Sequence, residues 1–152
     1  MRNSIFTSLL CASLLASIPD AMAGSPEYIP GLGDIMGAIQ MRHAKLWFAG
    51  TRGNWPLASY ELGELWEGFE DAARFQPDFK GRPISHMIRE IASQPLSDVE
   101  KAIGAKDNDK FSNAFKALTD ACNSCHQAAG YGFISIRIPK HSTFSNQDFD
   151  AK

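Results

Sequence analysis

The sequence predicts an all-α fold, an antiparallel four-helix bundle followed by an irregular C-terminal tail. Three observations carry this. Apolar residues recur at helical spacing in four successive segments, and glycine, proline or a capping residue bounds each segment. Only the stretch 133–138 (Phe-Ile-Ser-Ile-Arg-Ile) reads as extended, and it has no second strand to pair with. The 152 residues carry 15 Lys and Arg against 17 Asp and Glu, a formal charge of -2, and 44% are hydrophobic. That is the composition of one ordinary globular domain. With no basic excess and no Lys/Arg block, the electrostatic footprint of nucleic-acid binding is missing, and nucleic acid is not an expected partner.

At the N-terminus, Met1-Arg2-Asn3 precedes an apolar stretch over residues 5–18, then Pro19, then Ala21-Met22-Ala23 before Gly24. One positive charge, a short apolar run and an A-x-A site describe a secretory signal peptide over residues 1–23, cleaved after Ala23. The run is shorter than the ~20 residues a membrane span needs, so no span is expected after cleavage. Cys11 leaves with the peptide, because Leu10 stands where a lipoprotein signal wants a small residue. The cysteines remaining in the mature chain are Cys122 and Cys125. The expected location is the periplasm.

The helical domain is expected over residues 24–130. Its first helix places Leu32, Met36, Ile39, Gln40, His43 and Trp47 on one stripe, and Gly50-Thr51-Arg52-Gly53-Asn54 breaks it. The second stripe runs through Trp55, Ala58, Leu62, Leu65, Trp66, Phe69 and Ala73, making an antiparallel hairpin with the first. Trp47, Trp55 and Trp66 are read as core that also suits an apolar cofactor wall. Residues 76–82, with Pro77 and Gly81, end the second helix, and Pro83 suits the first turn of the next.

A third segment uses Ile84, Met87, Ile88 and Ile91, then Leu96, Val99 and Ile103 in a shifted phase beyond Pro95. Ser97-Asp98-Val99-Glu100 matches a capping box, so this helix is either kinked at Pro95 or split, and either version fills one bundle position. Asp107 caps the fourth helix, whose stripe is Phe111, Phe115, Leu118, Cys122, Cys125 and Ala129, with Gly130 as its stop. Residues 131–152 form a tail expected to pack on the domain.

Cys122-Asn123-Ser124-Cys125-His126 is C-x-x-C-H, the attachment signature of a c-type haem. Two thiols three residues apart share one helix face and add across the two vinyl groups, while the adjacent imidazole reaches iron as proximal ligand. A thioredoxin-like pair would want its thiolate at a helix N-terminus, and here the helical pattern precedes the cysteines. A zinc site would want a second ligand pair, and there is no other C-x-x-C. Haem is the leading reading, inserted into the bundle because both cysteines lie on an apolar stripe.

With this motif near the end of the last of four helices, the chain resembles the class II c-type cytochromes of the cytochrome c-prime type over roughly residues 32–130. The tail is longer than that group usually carries. In the group an early residue of helix one faces the open side of the iron, and Met36 is the match by position. The resemblance therefore implies one covalent haem c held by Cys122 and Cys125, His126 as proximal ligand, and Met36 as candidate sixth ligand. A Met on an apolar face is also ordinary core filler. Met41, Met87 and His86 are rivals, Met41 off the stripe, and His43 is the alternative ligand because it lies on it.

Gln40 and His43 together read either as hydrogen-bond partners of a propionate, a water or an iron-bound diatomic, or as partners for each other or for buried backbone. Arg137 and Lys140 are candidate propionate partners or else solvated surface charges. The expected function is a periplasmic one-electron carrier that meets periplasmic redox proteins through small transient interfaces. The alternative is a five-coordinate haem protein binding NO or CO. An enzyme is not expected, since no acid–base pair is visible beyond His43. A homodimer through a helix face is compatible with the resemblance.

Overall fold

A computed structural model describes residues 28–150 of the chain. The signal peptide expected over residues 1–23 lies outside the described residues. The fold is all-helical: α1 Leu32–Thr51, α2 Trp55–Phe75, α3 Ile84–Ile91, α4 Ser93–Ala105 and α5 Asn108–Ala128. Among the described residues there is no strand, only an isolated bridge between Phe79 and Arg82. No helix among them is long and apolar enough to cross a membrane.

Gly50 and Thr51, expected to break the first helix, are still part of α1, and the break falls at residues 52–54; the other expected boundaries fall where backbone chemistry puts them. Asn54 caps α2, its side chain accepting from the Leu57 N–H at 3.3 Å, and Asp107 caps α5 by accepting from Asp109 and Lys110 at 3.1 and 2.9 Å. Gly130, at φ +82°, closes α5: its N–H reaches the Gln127 carbonyl and the Tyr131 N–H reaches the His126 carbonyl at 2.7 Å. Those two bonds form a Schellman cap, which needs a left-handed residue at this position.

The third segment is split, with Ala92 between α3 and α4. Pro95 has no N–H to give the Ile91 carbonyl, and its ring crowds that carbonyl, so the chain restarts at Ser93 with Pro95 in the first turn. The capping box at Ser97 is a correction: Ser97 lies inside α4, whose N-cap Ala92 has no side-chain bond. The backbone continues from α3 through Ala92, with Ala92 N–H on Ile88 and Leu96 N–H on Ala92, so a side-chain cap has no orphan donor to serve at Ser97.

The helices pack on one core in which Leu46, Leu65, Leu96, Val99, Phe111, Phe115 and Leu118 are fully buried. Each such side chain contributes about 1.5–3 kcal/mol of burial. The buried face of α1 is centred on Ile35, Ile39, His43, Leu46 and Gly50, so Met36 and Gln40 stand at its edge, Met36 half-buried and Gln40 exposed. Trp47, Trp55 and Trp66 are only partly buried, packing against the core from outside. Glu61 is buried to 1% exposure, which its position beside the α2 stripe does not announce. Arg42 compensates it, with one guanidinium nitrogen 3.2 Å from Glu61 and another 2.6 Å from Glu64.

The tail has no helix or strand, yet it is fastened along its length. Ile136 bonds to Asn123 near the end of α5, Lys45 of α1 sits over the Phe144 ring, and Phe149 is buried against Phe48 with ring centroids 5.5 Å apart. Asp150 then pairs with Arg52 at 2.8 Å and accepts from Asn54. The chain thus returns from the end of α5 toward the α1–α2 connection.

Candidate functional site

The last turns of α5 carry the C-x-x-C-H motif. Cys122 and Cys125 are half-buried free thiols three residues apart, and His126 follows them. Burial first, and the neighbouring Cys125 second, push the Cys122 thiol up to about 11, and burial raises Cys125 as well. As free thiols both stay protonated near neutral pH, and the C-terminal end of a helix dipole adds no help to a thiolate. Among the described residues no cluster of three or more His, Cys, Asp or Glu is arranged to hold a metal ion on its own. The thiols lack the local electrostatics that would favour a thiolate for exchange.

Both thiols and His126 line a cavity of about 460 Å³, within the ~300–1,000 Å³ of ordinary ligand sites. Its walls are mostly apolar. Leu32, Met36 and Ile39 come from α1, Phe69 from α2, Ile84 and Ile88 from α3, and Ile134 and Ile136 from the tail. Gly33 and Gly37 also border it from α1, where an added Cβ would meet nothing within 4 Å. Half-buried thiols and a neighbouring imidazole from α5 and a thioether from α1, around one apolar cavity, form a donor set that fits a thioether-linked haem. A second, more open depression of about 710 Å³ at the opposite end of the helices, beside Trp55, Pro56, Ile103 and Lys106, has no thiol, imidazole or thioether on its wall.

The ring of His126 is oriented by the tail. Its Nδ1 lies 2.8 Å from the Ile134 carbonyl oxygen. A carbonyl only accepts, so Nδ1 carries the proton and a neutral ring keeps its lone pair at Nε2, the nitrogen free to accept or to ligate.

His43 is 3% exposed and also borders the cavity. Its Nε2 is 2.9 Å from Thr119 Oγ1, and the Thr119 hydroxyl donates to the Phe115 carbonyl at 2.9 Å. With that hydroxyl proton committed, His43 Nε2–H is the donor. His43 is thus paired with Thr119 rather than with Gln40, which also borders the cavity. Met36, two turns nearer the helix start, has no such commitment.

Burial lowers the His43 pKa from 6.5 to about 4. At pH 7 folded and unfolded chains both hold His43 neutral. Below 6.5 the unfolded chain takes up a proton that the folded chain refuses until about pH 4, so stability falls through that window at up to about 1.4 kcal/mol per pH unit. The loss accumulates to about 3 kcal/mol and is constant at lower pH. Denaturant unfolding of wild type and His43→Leu between pH 7 and 4 should show their stability difference changing by that amount. A pH-independent difference would contradict the burial of a neutral ring.

Of the remaining rivals, Met41 and His86 are exposed, Met87 is buried in the core, and none borders the cavity. Arg137 and Lys140 do not border it either; the cations that do are Lys80 and Arg82. They sit on a tight hairpin in which Phe79 and Arg82 exchange backbone bonds at 2.9 and 3.0 Å, with Lys80 at φ +52° and Gly81 at φ +74°. Positive φ at both central residues is the type I′ turn, and holding a lysine there costs about 1–2 kcal/mol. Asp78 steadies the turn by accepting from the Gly81 N–H at 3.1 Å, so the Asp78 to Gly81 spacing was the available sequence signal. None of the three tryptophans borders the cavity that holds the thiols; Trp47 and Trp55 pack on Phe111 instead.

No family model matches this chain, and no curated protein or solved structure matches it.

Proposed function

We propose that the chain is an exported monohaem c-type cytochrome serving as a periplasmic one-electron carrier, with its helices in an antiparallel four-helix bundle. The observation that supports this above the others is the placement of C-x-x-C-H on an apolar cavity that Met36 also borders. In this arrangement α1, α2, the α3–α4 pair and α5 take the four positions. The short connections at residues 52–54 and 106–107 turn the chain back on itself.

A bound haem supplies a single-electron couple at iron. Cys122 and Cys125 would hold it by thioethers, and His126 would offer Nε2 to the iron. Ile39, Phe69, Ile84 and Ile88 exclude water from the cavity, while Lys80 and Arg82 at its rim match the charge of two carboxylates. Met36, on the α1 side of the cavity, would offer a soft thioether sulfur, a ligand that suits ferrous iron and would raise the potential. His43 is the weaker sixth-ligand candidate because its Nε2–H is committed to Thr119. Covalent loading requires export, which the leader over residues 1–23 supplies, and periplasmic redox proteins are the partners through small transient contacts.

Met36→Ala tests the ligand assignment. Oxidised wild type should give a low-spin spectrum with a sulfur-to-iron charge-transfer band, and the variant should lose that band, turn high-spin and bind CO readily. A high-spin, CO-binding wild type that the substitution leaves unchanged would point to a five-coordinate gas-binding protein instead.

A further inference from the structure

We propose that Asn123 is a positioning residue for His126, acting through the C-terminal tail to set how strongly the proximal imidazole donates to iron. The inference rests on the haem reading above and extends it to a residue the attachment chemistry leaves unspecified. Asn123 is the first of the two x positions in C-x-x-C-H. Its Nδ2 donates to the Ile136 carbonyl at 2.8 Å, and its Oδ1 accepts from the Ile136 N–H at 2.7 Å. A single side chain thereby supplies the donor and acceptor that a neighbouring strand would have supplied to this extended segment. Among side chains of this size, only a carboxamide offers both.

The consequence lies two residues earlier. Ile134 presents its carbonyl to His126 Nδ1 at 2.8 Å, and its own N–H is tied to the Tyr131 carbonyl at 2.8 Å. The segment 131–136 is therefore held at one end by the helix cap at Gly130 and at the other by Asn123. Among the described residues, Asn123 and His126 make the side-chain hydrogen bonds that tie residues 133–138 to α5. At the His126 partner itself burial adds little, with Phe133 81% and Ile134 44% exposed, while Ile136 and Ile138 further on are half-buried. Ser124, the other x residue, only turns back to the Asp120 carbonyl of its own helix.

A histidine that donates Nδ1–H to a fixed carbonyl is oriented and made a stronger donor at Nε2. Stronger donation favours the oxidised, more positive iron. Releasing the carbonyl should therefore raise the reduction potential. Opening the tail without loss of that bond would admit water and favour the oxidised state, lowering the potential, so the sign separates positioning from general loosening.

The test uses haem-loaded full-length protein from an exporting host: wild type, Asn123→Ala, the volume-preserving Asn123→Leu, and Ser124→Ala as control. The ferric–ferrous equilibrium of both Asn123 variants should shift toward ferrous by up to about tenfold, equivalent to about 59 mV for one electron, with Ser124→Ala unchanged. Unmoved or lowered potentials in the Asn123 variants overturn the proposal. In reduced wild type, NMR should also find the His126 Nδ1–H protected from solvent exchange; exchange as fast as that of an exposed imidazole overturns it even if neither variant folds. A wild type carrying no covalent haem sinks the haem reading and this inference together, whereas loaded wild type with unmoved Asn123 variants sinks this inference alone.

Discussion

Replacing both motif cysteines, Cys122→Ser with Cys125→Ser, is expected to abolish covalent haem while leaving the helices in place. The thiols are half-buried on the cavity wall and bond to no other residue, so serine changes little in α5. The core of that helix is built by Phe111, Phe115 and Leu118, all fully buried. A hydroxyl does not add to a vinyl group as a thiol does, so no haem should remain on the chain after denaturation. His126 and Met36 still border the cavity, and any haem captured there would leave on unfolding. Each single variant keeps one thioether position and should load partially. Helix content from circular dichroism should be close to wild type, while haem retained through denaturation falls from full occupancy to none. Full retention in the double variant would show that these cysteines are not the attachment points.

The largest stability effect expected is at Gly50. This residue lies buried in the last turn of α1, and a Cβ there would overlap the outer edge of the Phe111 ring, at Cζ, Cε1 and Cε2. Phe111 cannot retreat, since it is fully buried with Trp47 at 6.2 Å, Trp55 at 6.1 Å and Phe115 at 5.8 Å between ring centroids. Gly50→Ala therefore overpacks the α1–α5 contact and should cost about 3 kcal/mol or more. Gly63→Ala is the matched control: Gly63 is also inside a helix, but its added Cβ would meet nothing within 4 Å. There the better helix propensity of alanine should stabilise by up to about 1 kcal/mol. Denaturant midpoints that move in opposite directions support the packing; equal midpoints for Gly50→Ala and wild type contradict it.

Much of this architecture is legible in the sequence because helices announce themselves by spacing. The stripes through Leu62, Leu65 and Phe69 and through Phe111, Phe115 and Leu118 are the buried faces, and Asn54, Asp107 and Gly130 end their elements by local chemistry. Proline marked the break in the third segment, but the capping box at Ser97 misplaced its start, since a side-chain cap matters only where the backbone leaves donors unpaired. The motif identifies Cys122, Cys125 and His126, and periodicity brings Met36 and His43 to the same cavity.

What was not legible depends on contacts distant in sequence. Thr119 is the partner of His43 across 76 residues, and nothing in a helical stripe distinguishes it from Gln40 three residues away. Glu61 is buried because Arg42 of another helix meets it. Lys80 and Arg82, rather than Arg137 and Lys140, reach the cavity because a two-residue turn aims them there. The tail lacks periodicity altogether, so its ties through Asn123, His126, Phe149 and Asp150 emerge only in three dimensions.

The central claim is that Cys122 and Cys125 carry haem covalently, and its most direct measurement is the denatured mass of the full chain expressed with its leader in a host equipped for c-type cytochrome maturation. The account predicts a chain cut after Ala23 that carries the mass of one haem and has no thiol left to alkylate. A mature chain at the mass of its polypeptide alone, with Cys122 and Cys125 both alkylated, would contradict it.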